Sequence, residues 1–119
     1  MNEKRKILIL EDAQPRIDVF KKKFKNDDVY FFDNVSEAIE AVELLGPFDI
    51  FFLDHDLDGM IYVESDSENT GYQFAKYLAY KKIEGQIIIH SMNLVGAKNM
   101  KSLLTQAEVV PFPKLVKII

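Results

Sequence analysis

Short, almost wholly apolar runs alternate along this chain with longer segments whose apolar residues recur every three or four positions. Lys6 to Leu10 is apolar after its first residue and ends in Glu11-Asp12, which predicts a buried strand. Pro15 opens a segment carrying Ile17, Phe20 and Phe24 at helical spacing. Val29 to Phe32 predicts a second strand. Ser36 is expected to cap a helix bearing Ala38, Ile39, Val42 and Leu45, which Gly46-Pro47 stops. Phe48 to Leu53 predicts a third strand, again ending in acid, and residues 54 to 70 read as a polar loop. Gly71 to Ile83 has a helical pattern, with Phe74, Tyr77 and Leu78 on one side. Gln86 to Ile89 predicts a fourth strand ending in His90-Ser91, and Asn93 to Gln106 a fourth helix. Val109-Val110 reads as a short fifth strand before Pro111-Phe112-Pro113.

Strands that alternate with helices imply right-handed crossovers and an α/β fold with a doubly wound, five-stranded parallel sheet. Strands apolar throughout imply cover on both faces. After Pro113 only Lys114 to Ile119 remain, so a last helix is expected to be missing. The surface it would cover is then buried by Leu115, Val116, Ile118 and Ile119 or by a second subunit, which points to a homodimer.

A length of 119 residues suits a single domain spanning 1–119. The absence of cysteine excludes disulfides, zinc–thiolate sites and cysteine nucleophiles. No apolar run approaches the ~20 residues that span a bilayer, so no membrane association is expected. Met1 to Lys6 is polar and does not resemble a signal peptide, so a cytoplasmic location is expected. The net charge of −4 argues against binding duplex nucleic acid, which needs a basic footprint. The basic cluster Lys21-Lys22-Lys23 with Lys25 suits the last turn of a helix, where cations favour the dipole.

In parallel sheets ligands bind outside the carboxyl ends of the strands. Three strands here end in reactive residues: Glu11-Asp12, Asp54-His55-Asp56 and His90-Ser91. Glu11, Asp12 and Asp54 would gather three carboxylates that repel one another, and a divalent cation relieves this. Oxygen ligands suit Mg²⁺ or Mn²⁺. His55 and His90 are the only histidines, and both fall beside this cluster. Each could serve as acid, base or metal ligand, or simply pack. Asn93 and Lys98 could bind phosphate near the start of the fourth helix. Tyr62 and Tyr72 could stack on a base, though packing is the commoner use of such residues. Glu64, Asp66 and Glu68 read as loop surface. Asp54-His55-Asp56-Leu57-Asp58-Gly59 also spells the start of a calcium loop, but its twelfth position is Ser65 instead of Glu and a strand precedes it.

These residues resemble the receiver (response-regulator) superfamily over about residues 4 to 112. Ile7-Leu8-Ile9-Leu10-Glu11-Asp12 is similar to its first strand and acidic pair, and Phe48 to Asp54 to its third strand and phosphoacceptor aspartate. Thr70-Gly71 resembles the pair that begins the third helix. Leu53-Asp54-His55-Asp56-Leu57, His90-Ser91-Met92-Asn93 and Gly96-Ala97-Lys98-Asn99-Met100 resemble the branch of cyclic-phosphate-processing receivers. The resemblance implies strand order 2-1-3-4-5, a metal site completed by the carbonyl of Asp56, and His90 or Ser91 at the receiver Thr/Ser position. It also implies a small phosphate-ester or nucleotide substrate, such as a cyclic nucleotide or an RNA-end cyclic phosphate. The lysine that receivers carry before the proline after strand five is replaced by Val110, with Lys114 the nearest substitute. Three functions therefore compete. One is a metal-dependent cyclic phosphate hydrolase using Asp54, His55, His90 and Ser91. A second is a regulatory receiver phosphorylated on Asp54, and a third is a degenerate receiver that binds a protein partner.

Overall fold

The structure, a computed structural model, describes residues 4–57, 59 and 61–119. Asp58 of the calcium-loop reading and Met1 to Glu3 of the polar N-terminus lie outside the described residues. The strands are β1 (Lys6–Leu10), β2 (Asp28–Phe32), β3 (Ile50–Leu53), β4 (Gln86–Ile89) and β5 (Glu108–Val109). The helices are α1 (Gln14–Lys23), α2 (Val35–Leu45), α3 (Gly71–Lys81), α4 (Leu94–Leu103) and α5 (Phe112–Ile118). All strands pair in parallel in the order β2-β1-β3-β4-β5, with Leu10 opposite both Phe32 and Leu53. No helix among the described residues is long and apolar enough to cross a membrane.

The unbroken apolar strands are explained by cover on both faces. Successive strand residues point to opposite sides. Leu8, Leu10, Phe51, Leu53, Ile87 and Ile89 pack against Ala38 of α2, Phe74 and Leu78 of α3 and Met100 of α4. Their neighbours Ile7, Ile9, Phe52 and Ile88 pack against Phe20 of α1 and Leu115 of α5.

The expectation of a missing last helix is corrected: α5 exists, seven residues long. Pro113 sits in its first turn, where the missing N–H costs nothing and the fixed φ favours helix. The Pro-Phe-Pro run therefore starts a helix where it looked like a stop. Leu115 is fully buried by it, while Ile118 stays exposed. The cap of α2 is Asn34, whose side chain accepts the Glu37 N–H at 2.9 Å, and Ser36 lies inside the helix. Helix α4 stops at Leu103, short of Gln106.

Gly71 begins α3 under tight constraint. Its N–H donates to the His55 carbonyl at 2.8 Å, and a Cβ here would lie 1.9 Å from the Asp54 carbonyl oxygen. Gly71→Ala must therefore push α3 away from the end of β3. Thermal unfolding is expected to show a loss of about 2–3 kcal/mol, a size typical of overpacking. An unchanged midpoint would mean that the helix start yields freely.

Candidate functional site

The strand order reverses between β1 and β3, and the chain leaves both strands there in acid. Such switch points form crevices in open parallel sheets. The crevice here has a volume of about 360 Å³ and is lined by Glu11, Asp12, Arg16, Asp54, Asp56 and Asn93, among others. A larger cleft of about 640 Å³ opens elsewhere, beside Pro47, Phe48, Tyr77 and Lys81. Glu43, Asp49 and Glu84 line it, but among the described residues only the strand-end group of Glu11, Asp54 and His90 brings its ligand atoms within 4.8 Å of one another, so the strand ends are the candidate site.

Glu11, Asp54 and His90 are all buried, and one ligand atom from each lies within 4.8 Å of the others. The Glu11 carboxylate is held on both sides. Its Oε2 accepts the backbone N–H groups of Asp12 and Ala13, each at 3.0 Å, and its Oε1 faces His90 Nε2 at 2.8 Å. A carboxylate can only accept, so Nε2 carries the proton of this bond. The other ring nitrogen of His90, Nδ1, is buried without a partner among the described residues. Phe20 and Phe112 meet the imidazole edge-on. Asp54 Oδ1 accepts the His55 N–H at 2.8 Å.

Arg16, in the first turn of α1, escaped the sequence reading. Its Nη1 lies 3.6 Å from Glu11 Oε1 and 3.7 Å from Asp54 Oδ2. The guanidinium rests over the Phe112 ring, 5.2 Å from its centroid. A cation beside both acids thus comes from α1 and is shelved by α5, whereas Lys114, the nearest substitute along the chain, is exposed. The sequence did hold a signal for it: Arg16 follows the acidic pair and the helix-opening Pro15.

Electrostatics separate the acids. Burial pushes Glu11 up, but the hydrogen bond and charge of His90, the Ala13 N–H and Arg16 outweigh it and hold Glu11 below its usual value. Burial, against the countering charge of His90 and with the added charge of Glu11, pushes Asp54 up to about 7. Asp12 is also raised, first by burial and then by Glu11, although its Oδ2 accepts the Gly59 N–H.

The remaining predicted residues divide. Asp12 and Ser91 line the crevice; Ser91 Oγ accepts the Asn93 N–H at 3.0 Å. Asp56 lines it too, but its carboxylate is engaged. Oδ1 meets His55 Nδ1 at 2.8 Å, Asn93 Nδ2 at 3.1 Å and the Val63 N–H at 3.2 Å, and Oδ2 accepts the Tyr62 N–H at 2.6 Å. These hydrogen bonds outweigh burial and hold Asp56 below the usual carboxylate value. Asp56 also bridges Thr70, closing the loop between them.

His55 is fully buried and does not line the crevice. Its Nε2 pairs with Ser65 Oγ at 2.9 Å, and its ring fills the space where Gly96 lacks a Cβ. Asn93 caps α4 through its carbonyl, which accepts the Gly96 N–H at 2.9 Å, so its amide serves the helix and Asp56 together. Lys98 and Lys114 are exposed and outside the crevice lining. Tyr72 packs against the core, whereas Tyr62 is exposed at the crevice rim.

A five-stranded parallel sheet in this order, with acids at the ends of its first and third strands, defines a receiver-type domain. The chain belongs to the cyclic-phosphate processing receiver domain family, whose model matches residues 6–106. The fold is shared with the signal receiver domain of a LuxO-type repressor protein from Vibrio parahaemolyticus. That likeness has 18% identity, coverage of 98% of this chain and 84% of the other, and a TM-score of 0.72. A CheY-like receiver domain from Methylobacillus flagellatus shows 20% identity, coverage of 98% and 96%, and a TM-score of 0.65. The Mn²⁺-bound form of the response regulator Rcp1 shows 14% identity, coverage of 96% and 88%, and a TM-score of 0.67. Comparison with curated protein sequences gives no match.

Proposed function

We propose that this chain is a divalent-metal-dependent hydrolase of cyclic phosphate esters, with a small phosphate ester or nucleotide as substrate. The observation that carries the reading is the convergence of Glu11, Asp54 and Arg16 at one switch-point crevice, with His90 buried against Glu11, in a family described by cyclic-phosphate processing. The donor set fits a divalent ion. Glu11 and Asp54 supply buried carboxylate oxygens, and burial beside Glu11 leaves Asp54 short of positive charge. Oxygen donors of this kind suit Mg²⁺ or Mn²⁺. When bound, such an ion draws charge from a phosphoryl oxygen.

The chain's own residues do the rest. Arg16 can pair with a second phosphoryl oxygen through its planar fork, the task that lysine performs in other receivers. His90 keeps Glu11 oriented through a buried N–H, as partners of metal-binding carboxylates do. Asp12 and Ser91 complete the polar wall. Ring strain in a cyclic phosphate lowers the demand for help to the leaving oxygen, which suits a site without an exposed histidine.

The test is hydrolysis of 2′,3′- and 3′,5′-cyclic nucleotides and of RNA-end cyclic phosphates with Mg²⁺ and Mn²⁺. Arg16→Ala is expected to lower kcat/KM about 10²-fold, the size of losing one charge-stabilising donor, and Arg16→Lys to retain part of it. Wild-type protein that opens none of these substrates would end the reading. A second reading has Asp54 accept a phosphoryl group, and its position at the end of β3 favours it. Incubation with acetyl phosphate and Mg²⁺ followed by mass spectrometry distinguishes the two, and the replacement of the receiver lysine by Val110 counts against it.

A further inference from the structure

The crevice has a second half that this chemistry does not use. Next to the carboxylates its wall consists of Ile61, Tyr62 and Met92. Ile61 is 76% exposed, Tyr62 74% and Met92 46%. A single exposed apolar side chain needs no explanation. Three that share one crevice with a charged floor form an amphipathic site, apolar on one side and ionic on the other.

Nor is this rim a loose loop. Tyr62 has φ +54°, a left-handed conformation that a non-glycine residue adopts only when its surroundings hold it there. The Asp56 carboxylate holds it there, accepting the N–H groups of both Tyr62 and Val63. Asp56 is itself gripped by His55 and Asn93, and His55 by Ser65, whose hydroxyl also accepts from Asn99 at 2.9 Å. The second histidine of the chain therefore serves the placement of this rim. On the far side of Tyr62 lies a small polar pocket of about 210 Å³ whose lining includes Ser65, Asn93 and Asn99. Tyr62 lines both cavities, and the hydrogen bond from its backbone N–H to Asp56 fixes where its ring starts from.

We infer that Tyr62, with Ile61 and Met92, is a stacking platform for a nucleobase, so that the crevice selects phosphate esters carried on nucleosides over those carried on simple polyols. The inference rests on the reading of the carboxylate end as a phosphate-ester site. A volume of about 360 Å³ falls in the range of small-molecule sites and leaves room beyond a phosphate at Asp54 and Arg16. An aromatic face accepts any base, because every base offers a π-face, and a thioether adapts to the ring it meets. The platform thus sets the class of substrate without choosing among bases.

The experiment is calorimetric binding of adenosine 3′-monophosphate and of glycerol 1-phosphate, each with Mg²⁺, to wild type, Tyr62→Ala and Tyr62→Phe. Base–aromatic stacking predicts that Tyr62→Ala weakens the nucleotide about tenfold and leaves glycerol 1-phosphate unchanged, while Tyr62→Phe stays within twofold on both. With a cyclic nucleotide as substrate, KM should rise about tenfold in Tyr62→Ala and kcat stay within twofold. Nucleotide binding to Tyr62→Ala as tight as to wild type overturns the inference. So does equal loss of both probes, or failure of the nucleotide to bind wild type. Tyr62-dependent nucleotide binding without turnover would uphold the platform and end the hydrolase reading. Turnover that is indifferent to Tyr62 would do the reverse.

Discussion

In EDTA at pH 8, Asp54→Asn is expected to melt above the wild-type protein, although it removes the central carboxylate of the site. Asp54 is buried beside Glu11, and its value in the folded chain is pushed up to about 7 from an ordinary 3.8. A carboxyl group raised on folding binds its proton more tightly in the native state. Stability therefore falls as pH rises from about 4 to about 7, and the full cost is present above that window. The amide carries no charge to desolvate and its oxygen can still accept the His55 N–H. A gain on the order of 2 kcal/mol follows from the shift after allowance for relaxation, or roughly 5–10 °C for a domain of this size. The two proteins should converge as pH falls toward 4. Added Mg²⁺ or Mn²⁺ should raise the melting temperature of the wild type and leave Asp54→Asn nearly where it was. Turnover of a cyclic phosphate by the variant should drop at least 10³-fold, because both the charge and the ligand oxygen are lost. Differential scanning calorimetry across pH, with and without metal, checks the whole pattern. A variant less stable than wild type at pH 8 in EDTA would mean that Asp54 is already compensated by Arg16 and His90.

His90→Ala is expected to cost about 3–5 kcal/mol in urea unfolding at pH 7. Glu11 and His90 are both fully buried, 2.8 Å apart, and Glu11 depends on this bond to stay ionised against the cost of burial. Removing the imidazole strands a carboxylate inside the sheet and leaves a cavity between Phe20 and Phe112. The sign of the pH dependence follows from Glu11. Its folded value is lowered, so the stability it contributes is present above about 4.5 and is lost as pH falls through the folded value. In His90→Ala that contribution is missing. The gap from wild type should therefore be widest near neutral pH and narrow once both proteins are acidified below the folded value. His90→Gln, which keeps an N–H donor, should lose less. Equal midpoints for wild type and His90→Ala at pH 7 would show that Arg16 alone sustains Glu11.

The acidic end of the sheet was legible because it depends on local order. An apolar run of four or five residues between turn signals is too short for a buried helix and reads as a strand, and the residue that follows it emerges at the carboxyl edge. Glu11, Asp54, His90 and Ser91 were placed in this way, each adjoining its strand. The doubly wound class followed from alternation, and Gly71 from its place at the start of a helix that crowds Asp54. What such order cannot show is which of two neighbouring strand-end side chains faces the crevice. His55 and Asp56 adjoin Asp54, yet the histidine is sealed under α4 against Gly96 and the aspartate is spent on the loop holding Tyr62. Partners distant along the chain decided the rest. Arg16 reached the acids because α1 leans on Phe112, a residue of a helix hidden behind two prolines. Periodicity reports the geometry of one segment, whereas the cation, the buried histidines and the exposed aromatic rim arise from packing between segments, and only the folded sheet brings those together.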